Sequence, residues 1–320
     1  MITRILVVLA AALLAGASGA HAQAFPSKPL RILVGFPAGG PIDVQARFLA
    51  QKLTDSLGQP VVVENRPGAD GIIATNAVAK AEPDGHTLLL ASIGYATVPS
   101  LHKDLPYDPA TDLVPVIYSA HGPMVLVANP AVPAKTISEL FALAKAKPDQ
   151  LNYGSAGIGS SNHLGMELLT RTAGVQMNHV PYKGAAPATT DLLADRIQLM
   201  LNPISNVLPH LATGKLRALG VTTAKRSPQA PDVPAIAETV PGFDVSLWSG
   251  FFAPRGTPPD RIETLNRALR AALDDPEVKK GLSASGFETD GGTPQQFGTF
   301  VAGELKRWKD VVAAAGIKAE

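Results

Sequence analysis

Leu30-Arg31-Ile32-Leu33-Val34-Gly35-Phe36 is followed directly by Pro37-Ala38-Gly39-Gly40-Pro41 and then by Ile42 to Leu57, and this stretch decides the fold. Leu30 to Phe36 is a short, nearly continuous apolar run, the pattern of a strand covered on both faces. Phe36 to Pro41 breaks it. From Asp43 to Leu57, Val44, Phe48, Leu49 and Leu53 form one stripe, and Gly58 stands where a helix-ending glycine belongs. Working outward, Val61 to Glu64 is the next strand. The loop Asn65 to Gly71 leads to a helix over Ile72 to Ala81, and Thr87 to Ala91 is a third strand. Strand, helix, strand, helix at these lengths means parallel βαβ units.

A second series begins near Met124. Strands are expected at Met124 to Ala128, Leu151 to Tyr153, Ile197 to Leu201 and Leu216 to Val221. Helices are expected at Ser138 to Lys147, with Ser138 as N-cap, at Asn162 to Ala173 and at Ile204 to Leu211. The apolar run Leu247 to Ala253 returns to the first unit. Three helices follow, Asp260 to Leu273, Pro276 to Ser285 and Pro294 to Ala314, the first burying Leu265, Leu269 and Leu273. No flexible linker separates the two α/β units, so strands must cross between them. The expected division is residues 23–124 with 251–320 as one domain and residues 125–250 as the other.

The first 22 residues read differently. Arg4, the apolar run Ile5 to Ala15 and the small-x-small motif Ala20-His21-Ala22 occur in the order of a cleaved secretory signal peptide. The run is too short for a membrane span, and no Cys follows for a lipid anchor. Export to the periplasm is the expected localisation. The 28 Lys and Arg nearly balance the 27 Asp and Glu, which argues against a nucleic-acid or membrane surface. The absence of Cys excludes disulfides and thiol chemistry.

Two Gly-rich strand-to-helix turns carry the chemistry: Phe36 to Pro41, and Gly154-Ser155-Ala156-Gly157-Ile158-Gly159-Ser160-Ser161. Ligands of open α/β sheets bind beyond the carboxyl ends of strands. Amides that open a helix lack internal partners and hold anions well. Facing each other across a cleft, the two turns would grip an acid. Neither is a nucleotide motif, since Pro41-Ile42 stands where Lys-Ser/Thr would be needed after Gly35 to Gly40. The scattered His and absent Cys give no zinc site, and no metal or cofactor is expected. Ser160, Ser161 and His163 are close in sequence, but no Ser here sits in a nucleophile elbow, so an enzyme is not expected. His163 can be a ligand donor or part of a helix cap. Tyr182 and Lys183, in Val180-Pro181-Tyr182-Lys183-Gly184, can supply a phenol and a charge to an acid or belong to a solvated loop. Asp43 and Asp70 most simply cap helices, and Asp43 can also orient the first turn.

Several stretches resemble the Bug-type substrate-binding proteins of tripartite tricarboxylate transporters. They are Pro26 to Ile32, Phe36 to Gly40 with Asp43, Val63 to Ala69, Pro83 to Leu88, Asn152 to Ser161, Val180 to Gly184, Leu216 to Leu219, Pro231 to Pro234 and Phe252 to Pro258. The resemblance covers nearly the whole chain after residue 22. It implies an α/β fold of the type II periplasmic-binding-protein kind, two α/β domains closing on a ligand cleft. It also implies a small carboxylate, such as a dicarboxylate, an amino acid or an aromatic acid, delivered by a monomer to two membrane transporter subunits. The positions implied to bind it are Phe36, Ala38, Gly39 and Gly40 in the first domain. In the second they are Ser155, Gly157, Ser160, Ser161, His163 and Asn202, with Tyr182, Lys183 and Gly184 nearby, and Ser92 and Gly94 in the loop after the third strand. Two positions depart from the family. Ile72 stands where Asn is frequent, and Asn202 stands where Asp is frequent, which argues against an amine-bearing ligand. A sensor that presents its ligand to a signalling receptor is the alternative function, and a periplasmic hydrolase the third.

Overall fold

The computed structural model describes residues 25–148 and 150–317; the signal-peptide segment lies outside the described residues. The first unit runs β1 (Leu30–Val34), α1 (Pro41–Leu57), β2 (Val61–Asn65), α2 (Ile72–Ala79), β3 (Thr87–Ser92) and α3 (Gly94–Leu101). β1 pairs in parallel with β2 and with β3, as the alternation of strand and helix requires. Leu30, Ile32, Leu33 and Val34 of β1 are buried, which explains the unbroken apolar run. Gly58 ends α1 in the left-handed conformation, φ 66°, its N–H bonded to Thr54.

β4 (Leu113–Ala128) then runs through both halves of the molecule. Residues Leu113 to Pro123 pair with β9 (Ser246–Pro254), and Met124 to Ala128 pair with β7 (Leu199–Pro203) and β8 (Arg217–Val221), all antiparallel. Only the last five residues of this strand, Met124 to Ala128, carry a clear strand pattern in the sequence. Pro115, Gly122 and Pro123 hide the rest, and bulges between Pro115 and Ile117 and between Tyr118 and Ala120 accommodate the irregularity.

Between β4 and β8 lie α4 (Ile137–Ala146), β5 (Asn152–Ser155), α5 (Ser161–Ala173), β6 (Asn178–Pro181), α6 (Ala185–Leu193) and α7 (Ile204–Ala212). β7, β5 and β6 are parallel neighbours, so the full order is β2-β1-β3-β9-β4-β7-β5-β6, with β8 on β4. The cap of α4 is Thr136, whose hydroxyl accepts from the Glu139 amide, and not Ser138. The reason is local: Ser138 already sits inside the first turn, and Glu139 reaches back to the Lys135 amide.

After β9 the chain adds α8 (Pro259–Asp274), α9 (Pro276–Ala284), β10 (Glu288–Thr289, on β4) and α10 (Pro294–Ala315). Leu265, Leu269 and Leu273 face the core as the stripe required. Where β9 meets α10, the buried Glu304 carboxylate accepts the indole N–H groups of both Trp248 and Trp308 at 3.0 Å and pairs with Arg307 at 2.6 Å. A buried charge needs such a full set of donors.

An amide-lined cleft at the strand ends

A cavity of about 520 Å³ lies at the carboxyl ends of the parallel strands. After β1 it takes Phe36, Pro37 and Gly40 to Ile42; after β3, Ser92 to Gly94; after β5, Ala156 to Ser161; after β7, Pro203. Leu247 and Trp248 of β9, Leu101 of α3 and Phe287 complete an apolar wall. Both glycine turns therefore border one space, as a ligand site between them requires.

The helices that open here have no side-chain cap. The N-cap residues of α1, α3 and α5 are Gly40, Ile93 and Ser160, and none caps with its side chain. Away from the cavity, α4, α9 and α10 are capped by Thr136, Asp275 and Thr293, whereas α6 and α8 start at Gly184 and Pro258 without a side-chain cap. The first intrahelical bonds are Val44 N–H to Gly40 and Leu164 N–H to Ser160, so earlier first-turn amides are left for another acceptor. Ser160 could have capped α5, but its hydroxyl donates to the Gly157 carbonyl instead. The hydroxyls of Ser92 and Ser161 make no hydrogen bond among the described residues. Among the described residues, no Lys, Arg or His lines the cavity. Its positive character comes from helix ends alone.

The turns are held from behind. Asp43, in the first turn of α1, accepts from the Gly39 amide at 2.8 Å, from Arg47 and from Asn65, which also donates to the Phe36 carbonyl. The hydrogen bond from Arg47 is the chief reason its carboxyl lies at about 2, and Arg47 also neutralises its charge. The second turn hangs on two stacked imidazoles, His163 and His179, with ring centroids 3.8 Å apart. His163 Nδ1 accepts the Gly159 amide at 3.0 Å, and His179 Nε2 meets Ser155 Oγ at 2.6 Å. Ser155 in turn donates to the Gly157 carbonyl and accepts the Gly157 amide. Tyr153 stacks on His179, and its hydroxyl donates to Glu167, beside His163 Nε2. Burial pushes both imidazoles down to about 4, the neighbouring ring adding to the effect at His179. Both are therefore neutral near pH 7: His163 accepts at Nδ1, and His179, with the Ser155 hydroxyl proton given to Gly157, donates from Nε2 to Ser155 Oγ.

Of the residues expected to bind, Phe36, Gly40, Ser92, Gly94, Gly157, Ser160 and Ser161 line the cavity. Ala38 and Gly39 are at the exposed tip of their turn, and the Gly39 amide is committed to Asp43. Ser155 and His163 are buried supports of the second turn. Tyr182 and Gly184 donate their amides to Ser155 and Ala156, bracing the turn from the next strand, and the Tyr182 hydroxyl is bound to Asp191. Lys183 is exposed and lies outside the cavity. Asn202 is fully buried, bonded to Thr189 and Asn206.

Asp70 does not cap α2. The N-cap is Gly71, and Asp70 sits in a tight turn with φ 51°, on the cavity wall. It was read as a cap because it precedes a helical run. Gly68, Ala69, Asp70 and Gly71 all have positive φ, so Asp70 lies in a left-handed turn one residue before the N-cap. Thr97 and Leu101 also line the cavity from α3, a helix hidden in the sequence by Pro99.

A model of the tripartite tricarboxylate transporter family receptor matches residues 45–317. The protein BugT of Bordetella pertussis is 40% identical over 309 residues, covering 94% of each chain. Among solved structures, an R. palustris protein, Rpa4515 with adipate, is 37% identical over 92% of this chain and all of its own, with a TM-score of 0.77. MatC from Rhodopseudomonas palustris with bound malate is 36% identical over 90% of this chain and all of its own, with a TM-score of 0.73.

Proposed function

The chain belongs to the family of tripartite tricarboxylate transporter receptors, which are solute-binding proteins and not enzymes; from that premise we propose that it is a periplasmic receptor that captures a small carboxylate, a dicarboxylate or an aromatic acid, in the amide-lined cleft. The observation that carries this reading is the ring of uncapped helix starts around a cavity without a cationic side chain. Such a site satisfies a carboxylate by hydrogen bonds and helix dipoles, and a neutral sugar would leave those amides without an anion. The apolar wall of Leu101, Leu247, Trp248 and Phe287 then takes the carbon skeleton. The adipate and malate bound by two similar proteins are carboxylates of fitting size.

Residues 23–124 with 251–320 form one lobe and residues 125–250 the other, and a ligand touching both turns favours the closed arrangement. The break in pairing along β4 near Met124 supports this division. The receptor is exported by cleavage after Ala22, acts as a monomer, and hands its ligand to two membrane subunits.

Thermal-shift screening against organic acids tests the reading. A true ligand at a hundred times its Kd stabilises the folded chain by about 2.7 kcal/mol. A flat response to aliphatic, hydroxylated and aromatic acids alike would abandon it.

A further inference from the structure

Asp70 is the one ionisable side chain among the described residues that line the cleft. Asp43 also stands near a helix start, but Arg47 neutralises it. Asp70 has no such partner: its carboxylate makes no hydrogen bond or ion pair among the described residues. The turn that carries it is fixed. Gly68, Ala69, Asp70 and Gly71 all have positive φ, and the Asp70 carbonyl packs so closely on Gly94 that a Cβ there would lie 3.2 Å from it. Asp70, exposed in this open arrangement, is thus a wall residue beside the start of α3, in a cavity otherwise built for anions.

An uncompensated negative charge at one point of such a cavity sorts ligands by what they bring to that point. A second ionised carboxylate is repelled and a donor is attracted, more strongly as closure removes water. We infer that Asp70 is a specificity-determining residue: the cleft selects an acid whose far end carries a hydrogen-bond donor, an ammonium or a hydroxyl, over one ending in a second carboxylate. The inference rests on the reading of the cavity as a carboxylate cleft and narrows it. It also reverses an expectation from sequence. An acid missing at position 202 spoke against amine-bearing ligands, yet Asn202 is buried away from the cavity and an acid stands in the wall at position 70.

The test is titration calorimetry of the full mature chain and of Asp70→Asn and Asp70→Gly, both of which tolerate the left-handed backbone. The ligands are two matched series. One is hexanoate, ω-aminohexanoate, ω-hydroxyhexanoate and adipate; the other is benzoate, para-(aminomethyl)benzoate, para-hydroxybenzoate and terephthalate. In at least one series the unaltered protein binds the amino or hydroxy acid about tenfold or more tightly than the diacid, and both variants shrink that ratio by about tenfold. Raising the salt concentration erodes an ammonium preference and spares a hydroxyl one. Binding with the same ratio in all three proteins, or a diacid preference in the unaltered one, overturns the role of Asp70 alone. Silence of all three proteins towards every acid overturns the carboxylate reading itself, and the inference with it.

Discussion

Acidification should loosen the second glycine turn through the stacked imidazoles behind it. His163 and His179 are held at about 4, against 6.5 for a free ring, a gap worth roughly 3 kcal/mol per ring. The sign follows from proton counting. Between these two values the unfolded chain binds protons that the native rings refuse, so stability is lost as pH falls from about 6.5 towards 4. At pH 5 the loss is about 2 kcal/mol per ring, or roughly 4 kcal/mol for the pair as a ceiling, and less because His179 is only half-buried. His121, raised chiefly by its hydrogen bond with Asp290, takes a proton earlier when folded and offsets part of this. A net loss of about 2–4 kcal/mol between about pH 7.5 and 5 is expected. Protonation at Nδ1 of His163 also removes the acceptor of the Gly159 amide, so carboxylate binding should weaken over the same window. Urea unfolding followed by the fluorescence of Trp248 and Trp308 measures the slope. The control is the double variant His163→Asn, His179→Gln, in which an amide oxygen takes the place of the accepting His163 nitrogen and an amide NH2 that of the donating His179 nitrogen, without titrating. If that variant loses as much stability on acidification as the unaltered chain, the two rings are not the cause.

Four further outcomes can be checked. Glu304→Ala strands two buried indole N–H groups and should cost about 3–5 kcal/mol in urea unfolding, with Glu304→Gln recovering part of it. Asp43→Ala frees Gly39 and Asn65; the loss of about 2 kcal/mol should be full above roughly pH 4 and vanish as pH falls through about 2, with ligand affinity falling at neutral pH. Gly159→Ala forces a side chain to φ 80° against Leu101 and should lower stability by about 1–2 kcal/mol while reducing ligand affinity, read by calorimetry. Lys183→Ala should leave the affinity for every carboxylate unchanged within about twofold, because the side chain is exposed and outside the cavity.

What was legible in the sequence was what leaves a periodic or punctuated trace. β1, α1 and β2 announced themselves by an apolar run, a helical stripe and glycines at the breaks. The same signals located α5, α8 and both glycine-rich turns. α3 and α6 left no such trace: Pro99 and Pro187 lie within them, and small residues blur the stripe. Eleven of the sixteen residues of β4 were hidden because prolines are tolerated where bulges interrupt pairing. In the site, the residues whose amides face the cavity were readable from the turns. Residues that act by supporting them, such as His163 and Tyr182, looked in sequence like ligand donors, since a buried acceptor and a ligand donor use the same side chains. Asp70 was misread for a related reason. An acid before a helix is ordinarily a cap, and only the left-handed turn redirects it.

β4 and β9 have a consequence for how this receptor can be taken apart. Cutting out residues 125–250 as a module would sever β4 directly after Met124 and strip β9 of Ser246 to Gly250. Each fragment would carry a torn strand with bare amides and carbonyls, an open template for clumping with other copies. The lobes therefore cannot be exchanged between relatives like beads on a thread. A chimera would have to splice inside the shared strands in matching register, including the two bulges.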